Sequence, residues 1–131
     1  MPWAGAVKIT LLSEDAIRYE AVPGPLTIEA ESADAEYSPF HMLGSALAVC
    51  TFKVLASWAS HANVPFEGLV IDVSWTFAEK PHRVGEVKLS FTWSGLPPTR
   101  LEAAKRAAAL CPIHATLTHG PTPVVVEGKV G

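Results

Sequence analysis

Two residues in this chain have side chains suited to nucleophilic or redox chemistry, Cys50 and Cys111, and their settings differ. Cys50 lies within the longest apolar stretch, Met42-Leu-Gly-Ser-Ala-Leu-Ala-Val-Cys-Thr-Phe. Cys111 closes an alanine-rich segment and is followed at once by proline, in Leu110-Cys-Pro-Ile-His-Ala-Thr-Leu117. One thiol inside a long helix and one at a helix junction make a candidate redox pair. The plain alternative is that both are small apolar fillers, since free cysteine is among the most buried residue types.

If a helix restarts at Pro112, Cys111 is its N-cap. The first-turn amides then point at the sulfur, and the helix dipole favours an anion, which lowers a thiol pKa. Cys50, mid-helix among apolar neighbours, is expected to have a raised pKa unless a cation approaches; Lys53, one turn on, or an arginine delivered by a strand are the candidates. The bland reading of Lys53 is a snorkelling surface side chain.

The five histidines, His41, His61, His82, His114 and His119, show no paired spacing on one element apart from Cys111 with His114, and a single Cys-x-x-His is a weak zinc signature. No metal site is therefore expected. The sequence contains no Gly-rich phosphate loop and no Gly-x-Ser-x-Gly elbow, so neither phosphate cradling nor serine hydrolysis has its parts.

The elements that must position the thiols follow from periodicity. Val7, Ile9 and Leu11, then Ile17, Tyr19 and Ala21, then Leu26, Ile28 and Ala30 alternate with polar residues, and Ser13-Glu14-Asp15 and Pro23-Gly24-Pro25 supply turns. This predicts an antiparallel meander over 6–31. A polar stretch, Glu31 to Tyr37, follows. Ser38-Pro39 marks a helix start, serine as N-cap and proline at the first helical position, and the helix is expected over 39–62, stopped by Asn63-Val-Pro65. Leu43, Leu47, Cys50 and Val54 share one face of it. The other faces are also largely apolar, as in a helix covered on all sides or by a second subunit. Two alternating runs, Leu69 to Phe77 and Val87 to Trp93, predict a hairpin over 67–94. A second helix is expected over 99–117, opened by a Thr99–Glu102 capping box and broken by Pro112. Val124-Val-Val126 predicts a final strand over 123–128.

The chain has 131 residues, the size of one domain, and the fold class is α+β. A net charge of −3 without a lysine or arginine cluster argues against nucleic acid and anionic membranes as partners. The apolar run from Phe40 to Ala59 is interrupted by His41 and Lys53 and reads better as a core helix than as a membrane span. The amino terminus lacks a basic-then-apolar signal pattern, which predicts a cytoplasmic protein, where a bridge between the thiols would be transient.

At Ser38-Pro-Phe-His-Met-Leu-Gly-Ser-Ala-Leu-Ala-Val-Cys-Thr51 and Cys111-Pro-Ile-His-Ala-Thr-Leu117 the chain resembles the osmotically inducible protein C and organic hydroperoxide resistance (OsmC/Ohr) family. The family pattern is a proline-opened helix of small and apolar residues leading to a cysteine, and a second helix carrying Cys-Pro-x-His/Ser-x-x-Leu. The resemblance implies an OsmC-like fold, antiparallel sheets wrapped around two central helices, in an intertwined homodimer. It implies that Cys50 is attacked by an organic hydroperoxide and that Cys111 resolves the product as a disulfide, which an external thiol or dihydrolipoyl reductant reopens, with no bound cofactor, in oxidative stress defence. One feature departs from the pattern: peroxidatic members carry a glutamate just after the helix-opening proline, paired with a strand arginine, and here Phe40 and His41 stand there. Arg18 is the candidate arginine, and His41 a candidate to act on thiolate or substrate. The loss favours a second expectation, a non-enzymatic dimer binding a small hydrophobic ligand between its subunits.

Overall fold

A computed structural model describes residues 5–20, 22–24, 26–29 and 38–131. The polar stretch Glu31–Tyr37 and the end of the expected meander at 30–31 lie outside the described residues. The chain separates into two compact units, Met1–Glu36 and Tyr37–Gly131.

In the first unit, β1 (Lys8–Ser13) and β2 (Ala16–Glu20) form an antiparallel ribbon. Ile9 pairs with Tyr19 and Leu11 with Ile17, which sets the apolar residues on one face; Lys8 with Glu20 and Thr10 with Arg18 occupy the other. Asp15 closes the turn by donating its amide to the Ser13 hydroxyl at 3.3 Å. The expected third strand is not formed: residues 26–29 are irregular. Pro23 and Pro25 remove two ladder donors at its entry, and alternation alone makes no strand without a neighbour to bond.

In the second unit, α1 (Pro39–Ala62) starts and stops where its signals stand. Ser38 is extended and its hydroxyl accepts the His41 amide; Asn63 closes the helix in the left-handed conformation, φ 55°. Its buried residues are Gly44, Leu47, Thr51, Leu55 and Ala59. This stripe is rotated from the expected one, for it runs through Thr51 rather than Cys50. A packing contact explains the rotation: a Cβ on Gly44 would lie 3.1 Å from the Trp75 ring, so the missing side chain is what lets the sheet lie on this face. By length and composition α1 also meets the description of a membrane span, mean hydropathy 1.5 in its most apolar window. β3, α2 and α3 pack along its buried stripe.

β3 (Leu69–Ala78) and β4 (Arg83–Trp93) form the expected antiparallel hairpin, with Ile71 opposite Phe91, Val73 opposite Leu89 and Trp75 opposite Val87. A bulge at Thr76/Phe77 shifts the register near the turn. A 3-10 turn, Pro98–Arg100, then leads into α2 (Leu101–Ala108), and α3 (Pro112–Thr118) follows. The expected helix over 99–117 is thus split in two. The Thr99–Glu102 capping box is not formed, because Thr99 lies within the 3-10 turn and α2 has no side-chain cap. No strand forms over 123–128. Pro121 and Pro123 lack ladder donors, and Val124 and Val126 are exposed in irregular backbone.

The core joins α1, α2 and the hairpin through Leu55, Ala59, Val64, Trp93, Ala104 and Ala107. The alanines let α2 approach α1 closely. Trp93 is the hub: its indole N–H donates to the Pro65 carbonyl at 3.0 Å, and Trp58, Phe66 and Phe91 meet its ring edge-on at 5.9, 6.1 and 6.4 Å between centroids.

Candidate functional site

The Cys111 thiol is placed by a helix break. Pro112 has no amide to continue α2, and it holds Cys111 extended at φ −60°, ψ 128°. That conformation makes Cys111 the N-cap of α3, and its sulfur accepts the His114 amide at 3.5 Å. The residue is fully buried. Cys50 is carried by α1 on the flank of the buried stripe and is half-buried. Because α3 packs against α1, the two residues meet. Both thiols are free.

Their protonation is pushed in opposite directions. Burial raises Cys50 above the ordinary thiol value, and donating to Cys111 raises it further; the Ile113 amide and the more distant Lys53 charge pull it down without prevailing. Burial acts on Cys111 in the same upward sense, but here it is outweighed. Interaction with Cys50, the His114 and Ile113 amides and the Thr51 hydroxyl nearby favour its anion, and the net shift is downward. Of the two thiols, Cys111 is therefore the more readily ionised.

The other expected residues are distributed differently. His114 reaches Cys111 through its backbone amide, so its imidazole is not the thiol's partner. Lys53 is exposed on α1 and touches the pair only through its field. His41 stands in the first turn of α1, Nδ1 2.6 Å from the Ser38 hydroxyl and its ring edge-on to Trp75. Phe40 meets Phe77 edge-on and lines an apolar crevice with Leu43, Gly44 and Trp75. The position next to the helix-opening proline is therefore apolar surface, with an aromatic ring where the family pattern has a carboxylate. Arg18 lies in β2, opposite Thr10, on the polar face of the ribbon. Among the described residues no three His, Cys, Asp or Glu side chains gather as a metal would require.

Thr51 was not a candidate from sequence. It is 1% exposed, and its hydroxyl donates to the Leu47 carbonyl at 2.8 Å. The signal for it was weak: a hydroxyl beside a cysteine, on a helix whose wheel placed the cysteine at the centre of the buried face. An open groove of about 900 Å³ runs along β4 from Val84 to Phe91, faced by α1, α2 and α3. Thr51 and His114, the neighbours of the two thiols, open onto it, as do Leu47, Leu101 and Leu117.

Comparison with known proteins agrees with this architecture. The structure is similar to that of a protein from Psychrobacter arcticus 273-4 provisionally named as an osmotic stress induced and detoxification response protein, with TM-score 0.64, 19% identity, and 88% of this chain and 90% of that one covered. It is also similar to a protein of Lactobacillus casei ATCC 334 provisionally named a redox protein, with TM-score 0.61, 17% identity, and 88% and 84% covered. No curated protein sequence matches the chain significantly. The family described as OsmC-like protein matches residues 31–127, a span that holds both thiols, α1, the hairpin and α3, and the chain belongs to that family.

Proposed function

We propose that this protein reduces organic hydroperoxides with its two thiols, as a homodimer in the reducing cytoplasm. The observation that carries the reading is the meeting of two free thiols at the α1–α3 contact, with donors collected on one of them. The Cys50 proton passes to the Cys111 sulfur, and the Cys50 thiolate attacks the distal peroxide oxygen. The O–O bond breaks; the alkoxide leaves and takes a proton from Cys111 to become the alcohol. Cys50 is now a sulfenic acid and Cys111 again a thiolate. Cys111 attacks the Cys50 sulfur, hydroxide departs and is protonated to water, and a disulfide remains. An external dithiol, of which dihydrolipoyl is the expected one, then reduces the bridge by exchange. In this scheme Cys111 is the group that accepts the Cys50 proton. The groove beside Thr51 and His114 gives an alkyl tail an apolar surface, which favours organic over inorganic peroxide.

One equivalent of cumene hydroperoxide added to the reduced protein tests this. The expected product has an intramolecular Cys50–Cys111 disulfide and no remaining thiol; in Cys111→Ser, Cys50 is instead trapped as a sulfenic acid by dimedone. Two thiols still titrating after the addition would contradict the reading. The groove and the raised Cys50 pKa would then favour the second reading, a dimer that holds a small hydrophobic ligand.

A further inference from the structure

The position after the helix-opening proline carries a phenyl ring, and that ring is packed on a second one. Phe40 meets Phe77 edge-on at 5.0 Å between centroids, and Phe77 is stacked on His82 at 4.8 Å. Phe40 forms one wall of the apolar crevice at the start of α1, and Trp75 forms another, met edge-on by His41 at 5.1 Å. Gly44 supplies the gap between them and the helix: a Cβ there would stand 3.1 Å from the Trp75 ring and 3.4 Å from the Val73 side chain. The space left is about 10 Å³, on the scale of a single water or methyl group. Every residue lining it is apolar, so a water held there would lack the polar partners it needs. The crevice shares Leu43, Leu47, Val84 and Leu117 with the long groove. Leu43, Leu47 and Thr51 follow one another at four-residue steps on one face of α1. The helix rise sets Leu43 roughly 12 Å from Thr51 along the axis.

We propose that this crevice is the specificity-determining end of the substrate groove: it seats the terminal methyl of an unbranched alkyl hydroperoxide and refuses branched and aryl ends, with Phe40 and Gly44 setting its width. The proposal rests on the thiol-pair reading for its use in turnover, but the seating of the alkyl end does not. A tail laid along α1 from Thr51 to Leu43 reaches the crevice. A shorter tail stops in the open groove, where water still touches it. Each methylene removed from water is worth about fourfold in affinity, so the reach matters. A phenyl or tert-butyl end is larger than the crevice and enters only if Phe40 leaves Phe77. A carboxylate at position 40 would oppose a hydrocarbon end, because its charge would lose water to it; a phenyl ring completes the apolar wall.

Two measurements on the full chain test this. The first is kcat/KM for n-octyl hydroperoxide relative to cumene hydroperoxide, with dihydrolipoamide as reductant. The unmodified protein is expected to favour the n-octyl substrate. Gly44→Ala, which places a methyl in the crevice, is expected to lower the ratio about fivefold. Val84→Phe fills the same space from β4 and serves if Gly44→Ala fails to fold. Phe40→Ala opens the wall and is expected to lower the ratio by raising the rate with cumene hydroperoxide. A parent that favours cumene hydroperoxide, or a ratio unchanged in the filled variants, overturns the proposal. The second is binding of n-octanol, the alcohol the first substrate leaves, followed by the indole NMR signal of Trp75. The signal is expected to shift with n-octanol, to stay with cumyl alcohol, and to stay with either in Gly44→Ala. A Trp75 signal that n-octanol does not move in the unmodified protein overturns the proposal. If the parent consumes neither hydroperoxide, the thiol-pair function fails, and the Trp75 signal still decides the crevice.

Discussion

The charge on the thiol pair is governed by donors rather than by a cation. Burial works against an anion at both sulfurs, yet Cys111 moves down because Cys50, the His114 and Ile113 amides and Thr51 favour its anion, while burial and the neighbouring Cys111 push Cys50 up. These opposite shifts have opposite consequences for stability. The Cys111 value is depressed on folding, so its contribution is present above the ordinary thiol value of 9.0 and is lost as pH falls through the lower folded value. The Cys50 value is raised, so its contribution is present below 9.0 and is lost as pH rises through the higher folded value. In a Cys50→Ser background only the first effect remains. Denaturation midpoints of Cys50→Ser, relative to Cys50→Ser with Cys111→Ser, should therefore rise as pH climbs towards 9.0; an offset that stays constant below 9.0 would contradict the donor account. At this scale the two cysteines and the directions of their shifts were legible in the chain, because N-capping and mid-helix burial are local consequences of Pro112 and the apolar run. Thr51 was not, since its burial depends on which face of α1 the sheet covers, and the periodicity does not show that.

Among the elements, α1 carries most of the consequences. Its caps at Ser38 and Asn63 are written locally, and the helix ends where they stand. Its buried face is not written locally, because a helix apolar nearly all round has no single stripe to read. The choice belongs to Gly44, where Trp75 comes closest, and it places Leu55 in full burial while Val54 is only half-buried. Leu55→Ala should then cost about 2–5 kcal/mol of unfolding free energy, and Val54→Ala clearly less. Equal losses in a denaturant titration would return the stripe to the face through Cys50. The strands divide in the same way. The β3–β4 hairpin forms because each strand has its partner next in sequence. The runs at 26–29 and 123–128 carry strand-like residues, but prolines stand beside them and among the described residues they pair with no strand. Alternation states which faces a strand would have; it does not supply the neighbour.

For the whole molecule, the Tyr37–Gly131 unit leaves apolar surface open: Met42 and Leu117 are exposed on its helices, Leu110 on the turn between α2 and α3, and a long groove follows β4. Surface of this kind suits a second copy of the chain, the assembly that the family resemblance implies. Sedimentation equilibrium should give twice the 14.0 kDa chain mass; a single-chain mass at micromolar concentration would contradict the dimer. The family was legible at this scale because two short motifs, each tied to one thiol, sit in the right order of elements. The fate of the activating carboxylate was legible too, as Phe40 and His41. The contact of α1 with α3, the helices that carry or follow the two thiols, is a long-range feature that only the folded chain displays. The most direct measurement is steady-state consumption of cumene hydroperoxide with dihydrolipoamide by the unmodified protein, Cys50→Ser and Cys111→Ser. Sustained turnover in the unmodified protein, abolished in Cys50→Ser and impaired in Cys111→Ser, is the predicted result. No turnover in the unmodified protein, or turnover that survives Cys50→Ser, would contradict a thiol pair in which Cys50 attacks and Cys111 takes its proton and resolves.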